Sequence, residues 1–185
     1  INIFPNIDSF LLSNPKGAIY ICSPNYLHYE HSIKCLESGL NVLCEKPLSI
    51  SLKETLNMIN CARNSKRNLA VAHMLRYSPA IPEIKRILKN NELGFVKKFN
   101  VIFKYKLPDG ARSWSNDFKK SGGGALIDAG IHCIDYVQTV FEESVNLVSS
   151  KLDWEKGKKN KIESEAHLSI KNQNGIEGDI FINSK

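Results

Sequence analysis

Gly17-Ala18-Ile19-Tyr20-Ile21-Cys22 is a continuous apolar run that stops at Ser23-Pro24-Asn25. A strand of this kind has no wet face, so it suits a parallel sheet covered on both sides. A helical stretch follows from about Tyr26 to Ser38, and Gly39 is placed to close it in the left-handed conformation. Asn41 to Cys44 reads as the next strand. Ser51 and Glu54 have capping-box spacing, and Leu52, Leu56 and Ile59 are expected to mark one face of the helix they open. Asn68 to Met74 reads as another buried strand. Strand, helix, strand, helix, strand implies a doubly wound parallel sheet, here assigned to residues 1–77.

A second style of sequence fills residues 78–185. It begins with a linking helix from Pro79 to about Asn90, with Ile81, Ile84 and Leu88 on one side. Beyond Gly94 the period changes to two. Phe99, Val101, Phe103 and Tyr105 alternate with Lys98, Asn100, Lys104 and Lys106, which describes a strand with one wet face. Ala166, Leu168 and Ile170 alternate likewise, Asn174-Gly175 is a hairpin signal, and Ile176, Gly178, Ile180 and Ile182 carry the return strand. The pattern predicts an α+β domain with a mainly antiparallel sheet, covered on one face by the helix after Gly124.

The balance of 25 Lys and Arg against 19 Asp and Glu gives a net charge of +6. Much of the excess lies in Lys151, Lys156, Lys158, Lys159 and Lys161, read as a solvated basic loop. Aromatic or Arg interleaving and a recognisable module are absent, so nucleic acid is not expected as a partner. No apolar run approaches the ~20 residues of a membrane helix, and INIFPNIDSF is not a signal peptide. The five cysteines, Cys22, Cys35, Cys44, Cys61 and Cys133, form no CxxC pair. They read as buried thiols of a reducing compartment, and a cytoplasmic location is expected.

Polar residues at strand ends are the first candidates for chemistry. Ser23-Pro24-Asn25 and Cys44-Glu45-Lys46-Pro47 close two successive strands, and ligands of open α/β sheets bind just outside such ends. Lys46 precedes a proline and is therefore held out of helical geometry; a surface-loop lysine is the competing reading. Gly122-Gly123-Gly124 precedes a helix, where glycines let backbone approach a ligand and leave N–H groups available. Asp128 and His132 are four apart, so a helix places them one turn apart on a shared face, with Asp135 nearly in line. That face is open to three readings: a solvated stripe, a metal site lacking a convincing third ligand, or an acid/base pair. No metal is expected.

Together these segments resemble the Gfo/Idh/MocA family of NAD(P)-dependent oxidoreductases. The matching stretches are Ala18 to Ser49, Ala72 to Pro79 (AHMLRYSP), Leu93-Gly94, Trp114, and Gly122 to Tyr136 (GGGALIDAGIHCIDY), in the family's order. The resemblance implies a partial Rossmann domain, then an α/β domain whose open sheet faces a partner subunit, hence a homo-oligomer in the full-length form. It implies that Lys46 lies near the nicotinamide and the reacting hydroxyl, that Asp128 binds substrate, and that His132 is the acid/base. Ser23, Pro24, Asn25, His28 and Glu45, with Lys46 and Trp114, fall where family members line the cofactor. Arg76 fits an Arg-aromatic-x-Pro signature near the site, where binding the substrate and a structural role are equal readings. Where the family often follows its tryptophan with Arg, this chain has Ser115.

The implied activity is hydride transfer between NAD or NADP and a secondary alcohol of a sugar, cyclitol or sugar derivative. An NAD-dependent glycoside hydrolase of the same fold and a non-catalytic nucleotide- or sugar-binding regulator are the alternatives. The GxGxxG unit and the far end of the C-terminal sheet have no counterpart here, so the chain reads as a fragment, expected to bind NAD(P) weakly or not at all when isolated and to be prone to aggregate.

Overall fold

A computed structural model describes residues 2–106, 112–154 and 162–185. The chain divides into two compact units, one of Ile1–Ala72 with Lys119–Gly122, the other of His73–Phe118 with Gly123–Lys185.

The first unit opens with α1 (Ile7–Leu12), capped by Asn6, whose side chain accepts from the Ser9 N–H at 2.8 Å. Strands β1 (Ala18–Ile21), β2 (Asn41–Cys44) and β3 (Leu69–Val71) form a parallel sheet in the order β1-β2-β3. Helices α2 (Asn25–Glu37) and α3 (Leu52–Ser65) make the crossovers. The Ser38 N–H returns to Lys34 and Leu36 carbonyls, and Gly39 follows at φ +83°, a conformation open to glycine at little steric cost. The core joins Ile21, Val42 and Cys44 to Cys35, Leu36, Leu40 and Ala62.

Two expectations change here. Ser51 does cap α3, accepting from the Glu54 N–H at 3.2 Å. The buried side, however, carries Met58 and Ala62, while Leu52 and Leu56 are 74% and 51% exposed. Four-residue spacing alone left two apolar stripes possible, and the buried one carries Met58 and Ala62. The strand expected from Asn68 to Met74 is shorter; Met74–Tyr77 instead forms a 3₁₀ turn.

In the second unit α4 (Ala80–Lys89) starts after Pro79 and buries Ile81, as its periodicity requires. Strands β4 (Lys98–Lys104), β5 (Val145–Asp153), β6 (Glu165–Asn172) and β7 (Glu177–Asn183) form one sheet in the order β4-β7-β6-β5. The β6–β7 hairpin turns at Asn174-Gly175, and β5 pairs antiparallel to β6. Strand β4 lies parallel to β7, so the sheet is mixed. A helical crossover, the π turn Leu126–Gly130 followed by α5 (Ile131–Phe141), carries the chain from β4 to the far edge strand β5, and the β5-β6-β7 meander then returns to lay β7 parallel to β4. Ala129, Cys133 and Val137 of this helix pack on Ala166, Leu168, Ile170, Ile180 and Ile182, each large apolar side chain contributing about 1.5–3 kcal/mol.

Strand β5 escaped the sequence reading because it has no alternation: Leu147 and Val148 are both well exposed on this edge strand. Lys151 is exposed on β5 and pairs with Asp153 at 3.2 Å, while Lys156, Lys158, Lys159 and Lys161 lie outside the described residues. The 3₁₀ turn is tied to α5 by an ion pair. Arg76 Nε donates to the Asp135 carboxylate oxygens at 2.9 and 3.0 Å, Nη2 donates to Oδ1, and His73 Nδ1 stands 3.6 Å from Oδ2. The carboxylate is buried and the guanidinium half-exposed.

The cysteines are free, but they are not uniformly buried as expected: Cys22 is exposed and Cys61 half-buried. Burial pushes the thiols of Cys35 and Cys133 up to about 11 and that of Cys44 up to about 12. At pH ~8, near the ordinary thiol range, a thiol reagent is expected to titrate Cys22 first in the native protein and the three buried thiols only on unfolding. Rapid labelling of all three in the folded state would contradict this packing. Asp135→Asn is expected to lower the urea midpoint, at a cost of about 1–2 kcal/mol given the half-exposed arginine. An unchanged midpoint would show that the pair does not hold the turn.

Candidate active site

Two groups of polar side chains, one in each unit, contain the residues singled out from the sequence. In the first unit they stand at the C-terminal ends of β1 and β2, where Ile21 is in register with Cys44. His28 joins these ends. Its ring is 1% exposed, with Nδ1 2.7 Å from the Pro47 carbonyl and Nε2 2.7 Å from the Ser23 carbonyl. A neutral ring donates to one of these carbonyls and an imidazolium to both. Either way His28 acts as a strut between the two loops.

The neighbouring groups are also engaged. The Ser23 hydroxyl lies 3.1 Å from Nδ1 of His31, whose imidazole burial holds below its ordinary range. The Asn25 side-chain amide donates to the Ser121 carbonyl at 3.2 Å, and Pro24 precedes the first turn of α2. Glu45 Oε2 accepts the Lys46 backbone N–H at 3.2 Å, and Glu45 Oε1 accepts from the Tyr20 hydroxyl. That carboxylate raises the Tyr20 phenol to about 12. The Lys46-Pro47 peptide is cis, and Lys46 is half-buried.

The second group surrounds the start of the helix bearing Asp128 and His132. Arg112 takes both oxygens of Asp128, Nη1 to Oδ1 at 3.2 Å and Nη2 to Oδ2 at 2.9 Å. The Tyr105 hydroxyl donates to Oδ2 at 3.0 Å. Burial first, and then the adjacent Asp128 charge, raise the Tyr105 phenol well above its ordinary range, so it remains a donor. His132 is 8% exposed. The turn between the two residues is π rather than α, with the Ile131 N–H reaching the Leu126 carbonyl. Such turns recur at functional positions. Arg76, expected near the substrate, is engaged by Asp135. Trp114 is half-buried beneath the Arg112 guanidinium, 5.9 Å from its ring.

The glycine triplet differs from expectation. The Gly124 and Leu126 N–H groups are not available to a ligand, because the Glu163 carboxylate accepts from both at 2.9 Å. The Ala125 N–H donates to the Glu163 backbone carbonyl at 2.9 Å. A Cβ on Gly124 would fall 1.9 Å from that carbonyl oxygen, so the close approach the triplet allows is to a neighbouring segment of the same chain.

Tyr105, Arg112 and Glu163 were not found from the sequence. Tyr105 carried the period of a buried strand face, and the other two are isolated charges in irregular segments. The one available signal was the Arg112–Trp114 spacing, with an arginine two residues ahead of the tryptophan rather than one behind. Among the described residues no group of three or more His, Cys, Asp or Glu could hold a metal ion, and no helix is long and apolar enough to cross a membrane.

Residues 1–73 match the family model described as an oxidoreductase family with an NAD-binding Rossmann fold, and residues 81–184 match that of the GFO/IDH/MocA C-terminal domain. The chain is 36% identical over 142 residues to glucose-6-phosphate 3-dehydrogenase of Bacillus subtilis, covering 75% of this chain and 40% of that protein. It is 39% identical over 132 residues to trans-1,2-dihydrobenzene-1,2-diol dehydrogenase of Danio rerio, covering 71% and 39%. The chain thus spans well under half the length of these curated relatives. A solved NAD-binding protein from Listeria innocua superposes with a TM-score of 0.87 at 24% identity, over 100% of this chain and 53% of that one. An inositol dehydrogenase homolog from Azotobacter vinelandii, complexed with NAD+, gives 0.88 at 19%, over 98% and 50%. At these identities the structural likeness is one of fold. With family models matching residues on both sides of the 3₁₀ turn, the chain belongs to the Gfo/Idh/MocA family of oxidoreductases.

Proposed function

We propose that the enzyme to which this chain belongs transfers hydride between NAD or NADP and a secondary alcohol of a sugar, cyclitol or sugar derivative. The observation that carries this reading is the pairing, on one helix, of a nearly buried imidazole, His132, with a carboxylate, Asp128, fixed by Arg112 and Tyr105. Its curated relatives include dehydrogenases named for glucose 6-phosphate and for a cyclic diol, which supports a ring-borne hydroxyl as substrate.

A nicotinamide cofactor fits the donor set at the ends of β1 and β2: a hydroxyl, an amide and an ammonium on turns at the C-terminal ends of adjacent parallel strands. Ser23, Pro24, Asn25, Glu45, Lys46 and Trp114 would hold it, with His28 fixing the two loops. When bound, the cofactor supplies the hydride acceptor or donor. Lys46 donates a hydrogen bond to the substrate oxygen and stabilises the negative charge that grows there. His132 takes the hydroxyl proton in oxidation and returns it in reduction, a task suited to the imidazole side chain, which can both accept and donate a proton. Asp128 accepts from a second substrate hydroxyl, and its bidentate clamp limits its rotation. A homo-oligomer formed through the outer face of the β4–β7 sheet, where Ile102 is 66% exposed, belongs to the same reading. The free state of all five cysteines fits a reducing compartment such as the cytoplasm.

The test is His132→Ala in the full-length enzyme, assayed for NADH formation on glucose 6-phosphate, glucose and a cyclitol. Turnover is expected to fall about 10²–10⁴-fold, the usual worth of general acid–base catalysis. Near-native turnover would overturn the assignment. Release of free sugar from a glycoside without net NADH would instead identify a hydrolase.

A further inference from the structure

The side chain that fixes the start of the Asp128–His132 helix comes from elsewhere in the chain. Glu163 lies two residues before β6 and is 6% exposed. Its two carboxylate oxygens each accept one backbone N–H, from Leu126 and from Gly124, at 2.9 Å. Its own carbonyl accepts the N–H between them, that of Ala125. Three successive N–H groups that a helix start leaves without intrahelical partners are thus satisfied by one residue. Gly124 is the residue type this contact demands, since a Cβ there would stand 1.9 Å from the Glu163 oxygen and 2.9 Å from its carbonyl carbon and nitrogen.

Asp128 follows directly, its N–H bonded to the Gly124 carbonyl at 3.0 Å. Any shift of Gly124 therefore passes to Asp128 and through the π turn to His132. Beyond that turn, Asp135 with Arg76 forms a second charged clamp on the helix. The helix is gripped on either side of His132, and Glu163 supplies the N-terminal grip.

We propose that Glu163 is a positioning residue for the reaction, setting the placement of Asp128 and His132 through the helix start while touching no substrate. This rests on the reading of His132 as the acid/base. It assigns a functional cost to a carboxylate in an irregular segment outside every motif. Glu163→Gln tests it closely in size: an amide offers one acceptor oxygen, and its NH₂ group faces the second N–H donor to donor.

In full-length Glu163→Gln enzyme, amide exchange across residues 123–128 is expected to quicken about tenfold or more while the β6–β7 hairpin keeps its protection. On the same substrates kcat is expected to fall about ten- to a hundredfold with KM for NAD unchanged. Combined with His132→Ala, the substitution is expected to add little further loss, because its effect runs through the missing imidazole. Unchanged exchange would overturn the grip itself. Faster exchange with unchanged kcat, or losses that simply multiply in the double variant, would overturn the positioning role while leaving the acid/base reading intact. An active His132→Ala enzyme would overturn both, and exchange would still show separately whether the helix start had loosened.

Discussion

Three backbone N–H groups at one helix start, each 2.9 Å from an oxygen of Glu163, are the constraint on which the second unit depends. Buried donors without partners cost about 1–3 kcal/mol each, and hydrogen bonds to a charged acceptor contribute about as much, so this contact fixes where the helix begins. The helix then lays Ala129, Cys133 and Val137 against β6 and β7. Because Glu163 leads directly into β6, the sheet and the helix are locked in one register. Asp128 and His132, the residues proposed for the chemistry, occupy other positions of that helix, and Asp128 is held there by Arg112 and Tyr105.

How far the sequence revealed this depended on the range of the interaction. Local periodicity located β4, β6, β7 and α4, because burying one face leaves a period of two or 3.6 in the residues themselves. The end of α2 was legible through Gly39, where only a left-handed residue fits. What failed was whatever required knowing a distant partner. Leu52 and Leu56 keep helical spacing yet face outward, since Met58 and Ala62 won the contact. The parallel pairing of β4 with β7 leaves no mark on either strand.

The candidate site divides the same way. Lys46 stood out at a strand end, where fold rules place ligands, and Asp128 and His132 stood out by their four-residue spacing behind the glycine triplet. The residues that hold them did not. Glu163 is one acid among many, and the glycine triplet was read as open to a ligand when one of its N–H groups is already taken. Arg76 matched a motif, but its guanidinium serves Asp135. In the first unit His28 shows the same pattern, a histidine within a recognisable segment whose ring is spent joining Ser23 to Pro47. In both units the motif residue is legible and its support is long-range.

The claim that His132 moves the proton is tested most directly by the pH dependence of kcat/KM for alcohol oxidation in the full-length enzyme. A base must be unprotonated to act, so the rate should decline on the acid side as the imidazole gains its proton. The wild-type enzyme should show this acid limb and His132→Asn should lose it, leaving a low rate flat with pH. An acid limb that persists unchanged in His132→Asn would place the base elsewhere and contradict the account.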